Sequence, residues 1–94
     1  MIIRIVGTSP DADILLSRVQ ASLEELGLLS HTTVEIYDTP EYREQMKITN
    51  FPALCIEESS INFRDMIFEG VIPEHSELSN LFISLFGSGD EGKK

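Results

Sequence analysis

The sequence has one cysteine, Cys55, so no disulfide can close within the chain. Positive charge is scarce, with seven Lys and Arg against sixteen Asp and Glu, a formal net charge of −9. Phosphate backbones and anionic lipid surfaces are bound chiefly through Lys and Arg, so nucleic-acid and membrane-surface roles are disfavoured. No apolar run approaches the roughly 20 residues of a membrane-spanning helix. The opening run Met1-Ile2-Ile3-Arg4-Ile5-Val6 is too short for a signal h-region. It continues into Gly7-Thr8-Ser9-Pro10 without a small-residue cleavage pattern, and a cytoplasmic location is expected. The sequence also lacks internal repeats.

What remains is an ordinary globular composition: 94 residues, 41% apolar and 24% charged. That length suits one domain with one core and buries enough surface to fold without metal or disulfide help. We expect residues 1–87 to form the domain and 88–94 a disordered polar tail. The acidic surplus is explained by solubility, with a docking face for a basic partner as the alternative.

Ile2 to Val6 is a β-branched run ended by Gly7 and reads as a buried strand. Ser9 as N-cap, Pro10 at the first helical position, then Asp11 and Asp13 announce a helix. Ala12, Leu15, Leu16, Val19, Leu23 and Leu26 recur on one face of it. Arg18, Gln20, Ser22, Glu24 and Glu25 fall mostly on the other, and Gly27 is the expected left-handed stop. Thr33 to Tyr37 reads as a second strand. Thr39-Pro40-Glu41 opens a short helix to about Lys47. Phe51 to Ile56 reads as a third strand, Glu58 to Asp65 as a polar turn, and Met66 to Glu69 as a fourth strand. A last helix from about Glu74 to Phe86 places Leu78, Leu81, Phe82, Leu85 and Phe86 toward the core. The order β-α-β-α-β-β-α implies an α/β fold. A parallel pair from the first crossover and an antiparallel hairpin together make a mixed four-stranded sheet flanked by three helices.

Two local patterns go further. Ile5-Val6-Gly7-Thr8-Ser9-Pro10-Asp11-Ala12 marks the first strand-to-helix junction, and Asn50-Phe51-Pro52-Ala53-Leu54 enters the third strand. With Glu24-Glu25-Leu26-Gly27, they resemble the small thioredoxin- and glutaredoxin-like family. Its members pair a Gly-Thr-Gly-Cys-x-x-Cys junction with a Glu-Glu-Leu-Gly helix end and a Thr-Pro-Ala-Leu strand. The resemblance covers about residues 1–86 and implies a thioredoxin-like fold with a cis Phe51–Pro52 bond. Counted back from Gly27, the family cysteines fall on about Ser9 and Ala12. A hydroxyl cannot shuttle electrons and an alanine cannot resolve a mixed disulfide, so dithiol oxidoreductase chemistry is excluded. The Val6-Gly7-Thr8-Ser9-Pro10-Asp11 stretch before a long amphipathic helix is also similar to KaiB-type clock proteins. That second resemblance implies a signalling regulator working through self-association or a change of fold.

On the family resemblance, Thr8, Ser9, Pro10 and Asp11 would face Phe51 and Pro52 across an edge that binds an extended peptide by strand addition, without a catalytic group. A well-capped helix start explains the first four residues equally. The expected function is a redox-inactive module that binds a protein or peptide partner, with no catalytic residue, metal or cofactor. The alternative is a monothiol or glutathione-linked activity at Cys55. That residue lies in an apolar strand, where a structural thiol is the simpler reading. Asp11 and Asp13 diverge on the helix, and no His or Cys completes a ligand set beside them. His31 and His75 read as surface residues without catalytic companions. Ile61 and Phe63, apolar within a turn, either fold back onto the core or form part of a partner patch.

Overall fold

The structure, a computed structural model, describes residues 1–86. The expected tail at 88–94, and Gly87 with it, lies outside the described residues. The chain forms β1 (Ile2–Val6), α1 (Asp11–Glu25), β2 (Thr33–Ile36), α2 (Pro40–Met46), β3 (Ala53–Glu58), β4 (Phe63–Glu69) and α3 (His75–Phe86). The four strands make one sheet in the order β2-β1-β3-β4. β1 pairs parallel with β2 and antiparallel with β3, and β3 pairs antiparallel with β4. This is the α/β fold expected, with a mixed four-stranded sheet and three helices.

The alternation of side chains along β1 and β3 divides the molecule. Ile3, Ile5, Leu54 and Ile56 point to one face and pack against Ala12, Leu15, Val19 and Leu23 of α1 and Leu78 and Phe82 of α3. Val6, Ala53 and Cys55 point to the other and pack under Tyr42 of α2 and Ile48. The first core is the larger because two helices cover it. On the second face α2, seven residues long, is the covering helix.

At the end of α1, Gly27 takes the left-handed conformation (φ 73°). Its N–H bonds to the Glu24 carbonyl and the Leu28 N–H to the Leu23 carbonyl at 2.8 Å, the doubly bonded stop expected of a glycine there. The start of α1 departs from expectation. Pro10, not Ser9, occupies the cap position, and no side chain caps the helix. The Thr8 carbonyl accepts the Ala12 N–H at 3.0 Å. Ser9 Oγ donates instead to the Asp13 carboxylate at 2.5 Å, a charge-assisted bond that a neutral cap does not match.

Three further departures have physical causes. The β3–β4 hairpin is tighter than the polar composition suggested. β4 begins at Phe63, with the turn confined to Ser59–Asn62. Glu58 accepts from the Ser60 N–H and hydroxyl, and Asn62 sits left-handed at φ 56°. Arg64 and Asp65 are polar because β4 is an edge strand whose first half is exposed. Ser22 is fully buried, not outward. Its hydroxyl donates to the His75 carbonyl at 3.2 Å and accepts from Ser79 where α1 meets α3. Leu85, placed toward the core by periodicity, is exposed, because the buried row of α3 runs Leu78 to Phe82 and on to half-buried Phe86.

α3 is docked by polar contacts as well as by that row. Arg18, also expected outward, is half-buried and donates to the Ile72 and Pro73 carbonyls in the segment leading into the helix. His75 is exposed, but its Nε2 meets Glu25 Oε1 at 2.6 Å, which ties the first turn of α3 to the last turn of α1. Truncating Phe82 to Ala should cost about 3–5 kcal/mol by urea unfolding, the range for deleting a buried aromatic. The clasp has a pH signature. The bond from His75 and that from Ser79 hold Glu25 below its ordinary 4.5. Because the folded state prefers the carboxylate, this stabilisation is full above that value and fades as Glu25 is protonated on further acidification. Urea midpoints should therefore fall more steeply on acidification in the wild type than in Glu25→Gln.

Candidate functional site

The C-terminal ends of parallel β1 and β2 lie at one end of the sheet, beside the entry to antiparallel β3. Three connections meet there: Gly7–Pro10, Tyr37–Thr39 and Thr49–Pro52. Gly7 has φ 154°, and a Cβ on it would stand 3.3 Å from both Cα and Cβ of Pro52. Only glycine allows the backbone of the β1–α1 junction to come this close to the proline. The Phe51–Pro52 peptide is cis, as the resemblance implied, and so is Ser9–Pro10. Thr8, Ser9, Pro10 and Asp11 are exposed, Phe51 is 38% exposed and Pro52 is buried. The structure thus brings the two expected segments together through Gly7 and Pro52.

The hydrogen bonds around Phe51 set it apart. The N–H groups of Thr49 and Asn50 both donate to Glu69 Oε1, at 3.0 and 3.1 Å. On the other side, the Pro52 carbonyl accepts from the Gly70 N–H at 2.8 Å. Between them, neither the N–H nor the carbonyl of Phe51 has a partner among the described residues. These two backbone N–H bonds hold Glu69 below its ordinary 4.5.

The Phe51 ring is fixed from the side of α2. Arg43 lies 4.2 Å from its centroid and donates from Nε and Nη2 to the Asp38 carboxylate at 2.6 and 2.7 Å. The bidentate pair holds the guanidinium over the ring. Thr39 Oγ1 accepts from the Tyr42 N–H, the expected cap of α2. Asp38, Arg43 and Glu69 escaped the sequence reading, since each belongs to a different element or connection from the segment it supports. The Asp38-Thr39-Pro40 corner was the available signal, because a helix start after β2 must fall beside the end of β1.

Cys55 lies one layer down on the same face of the sheet, directly across from Arg4. Sequence offered it no cationic neighbour, and the structure supplies one. The guanidinium of Arg4, however, donates to Glu35 at 2.9 Å and to Glu57 at 3.2 Å and lies 4.2 Å from the Tyr37 ring centroid. Tyr42 donates to the same Glu57 oxygen at 2.8 Å. Burial pulls the Arg4 pKa down, but Glu57 and Glu35 outweigh it and hold it above its usual value. Burial likewise dominates at the thiol, pushing Cys55 from an ordinary 9.0 to about 11. The thiol is fully buried and has neither exposure nor a helix N-terminus to activate it.

Asp11 and Asp13 are not brought together by any shared ligand, and among the described residues no three His, Cys, Asp or Glu converge as a metal would require. His31 is exposed. Ser22, Glu25, His75 and Ser79 do meet, but Ser79 bonds to the carboxylate and Ser22 to the His75 backbone carbonyl, so the imidazole is hydrogen-bonded to neither hydroxyl. Ile61 and Phe63 do not return to the core: they are 71% and 40% exposed and, with Leu85, border an apolar depression of about 190 Å³ at the end of the sheet remote from Phe51. No helix among the described residues is long and apolar enough to cross a membrane.

Comparison with known protein-family models, with curated proteins and with solved structures gave no match. The arrangement of residues therefore carries the functional argument. For the thiol, a group held at about 11 rather than 9.0 carries roughly a hundredfold less thiolate at neutral pH. Its reaction with a soluble aromatic disulfide should be at least that much slower in the native protein than in urea. A native rate equal to the unfolded rate would contradict this assignment.

Proposed function

We propose that this chain is a redox-inactive thioredoxin-like domain that recognises an extended segment of a protein partner along the Phe51 edge. The fold part of the reading is supported by the strand order β2-β1-β3-β4 with its first pair parallel, by helices on both faces, and by the apposition of Pro52 to the β1–α1 junction. The functional part rests on one observation. The N–H and carbonyl of half-exposed Phe51 lack protein partners among the described residues, while the Asn50 N–H before them and the Pro52 carbonyl after them are engaged.

A donor and an acceptor on one residue, held by a rigid neighbourhood, are what a β-strand offers to another strand. An incoming extended chain would accept from the Phe51 N–H and donate to its carbonyl. Thr8, Ser9, Pro10 and the Phe51 ring would flank its side chains. Affinity in this mode comes from main-chain bonds and selectivity from the side chains beside them. No step requires a nucleophile, which accords with a junction that has Ser9 and Ala12 where the resembled family has its cysteines.

Selection of heptapeptides from a random displayed library, followed by amide NMR with the enriched sequences, tests the reading. Bound peptides should shift the amides of Thr8, Ser9, Asp11 and Phe51 and slow hydrogen exchange at the Phe51 N–H. Enriched peptides that leave Phe51 unshifted, or a library with no enrichment, would overturn it.

A further inference from the structure

Granting that the Phe51 edge takes an extended chain, we infer that the chain it selects is basic, carrying Lys or Arg at alternate positions. The inference rests on the preceding reading for the site and on charge for the occupant. Contacts already described tie individual charges to this edge. Asp13 is held at Ser9 by the hydroxyl bond of 2.5 Å. Glu69 is held beside Phe51 by the Thr49 and Asn50 N–H groups and makes no ion pair among the described residues. Asp11 lies exposed in the junction itself, and it too makes no ion pair among them.

The positive charges nearby do not balance these. Arg43 stacks on Phe51, but both oxygens of Asp38 already accept from it, so that pair is neutral as a unit. Lys47, at the end of α2, is exposed. The N-terminus of α1 contributes only about half a positive charge against the full charges of Asp11 and Asp13. Asp11, Asp13 and Glu69 against Lys47 and the helix end leave the edge net negative by roughly 1.5 charges. An incoming carboxylate would meet that field with no free guanidinium to receive it.

Geometry sets the spacing of the occupant's charges. Side chains alternate along a strand, so every second residue of an added segment points to the same side. A chain bonded to Phe51 with lysines at alternate positions would place them along one side, toward Asp11 and Asp13 of α1, while Glu69, paired with Ala53 on the α2 face, adds to the field from the other side. Arg18 and Arg4, the other arginines held in ion pairs, serve the α3 approach and the sheet face and do not contribute here.

The test uses three blocked heptapeptides, Thr-Lys-Val-Lys-Val-Lys-Thr and its counterparts with Gln or Glu in place of Lys, titrated into the full chain and followed by amide NMR. The expected result is saturable shifts at Thr8, Ser9, Asp11 and Phe51 in the order Lys, Gln, Glu. Affinity for the Lys peptide should fall severalfold between 20 and 200 mM salt, and by about fivefold for each of Asp11→Asn and Asp13→Asn. The spectrum of each free variant verifies that it is folded. Equal binding of all three peptides at Phe51 would overturn the charge preference and leave strand addition standing. Preference for the Glu peptide would overturn it also, with Arg43 then setting the field. If the Lys peptide shifts only amides remote from Phe51, or no peptide shifts any, both this inference and the reading beneath it fail.

Discussion

The close approach of Gly7 to Pro52 is the contact on which the rest of the candidate edge depends. At 3.3 Å from a would-be Cβ to the proline ring carbon, no other residue fits at Gly7 without displacing the entry to β3, and its φ of 154° is in any case one that L side chains avoid. Because Gly7 leaves no room for a side chain against Pro52, the start of α1 and the residue before β3 form one surface although they are more than forty positions apart in sequence. The free N–H and carbonyl of Phe51 have meaning only in that setting. Elsewhere on the surface they would simply be hydrated.

The support beneath this edge is polar where the other side of the sheet is apolar. Two helices give the Ile3–Ile5 face a continuous core, but α2 is too short to do the same for the opposite face. Arg4 fills the difference. Its aliphatic stem can cover the sheet while its head is matched by Glu35, Glu57 and two tyrosine rings. Such a network is costly if any one partner is removed, because the remaining charges are partly desolvated. It also isolates Cys55, whose cationic neighbour across the strand, Arg4, is already committed to carboxylates. The thiol thus lies buried in the layer beneath the edge, its pKa raised by that burial.

Much of this architecture was legible along the chain. Helix α1 announces itself by Leu15, Val19 and Leu23, and ends at Gly27 with the two carbonyl bonds that a left-handed glycine permits. The proline entry into β3 and the Thr39 cap of α2 were likewise readable from residue type and spacing. Ser9 misled, because a serine before a proline and two aspartates reads as a cap, whereas in the fold its hydroxyl finds a carboxylate one turn on. Ser22 misled for a related reason. Its place on the polar stripe of α1 cannot show that α3 will cross there and give its hydroxyl two partners.

Periodicity, caps and the lone cysteine thus determined the element order, the α/β class and the exclusion of dithiol chemistry, since all three follow from residues adjacent in sequence or from simple valence. The surroundings of Phe51 are of another kind. Glu69 reaches back to the Thr49 and Asn50 amides, Asp38 and Arg43 clamp the ring, and Gly7 meets Pro52 only after the sheet has brought three separate connections to one end. Pairing between distant segments is decided by how the strands order and which faces the helices cover, and no local pattern encodes that choice. The tertiary structure alone decided which carboxylates lie beside the open backbone of Phe51, and therefore what charge an incoming chain would meet.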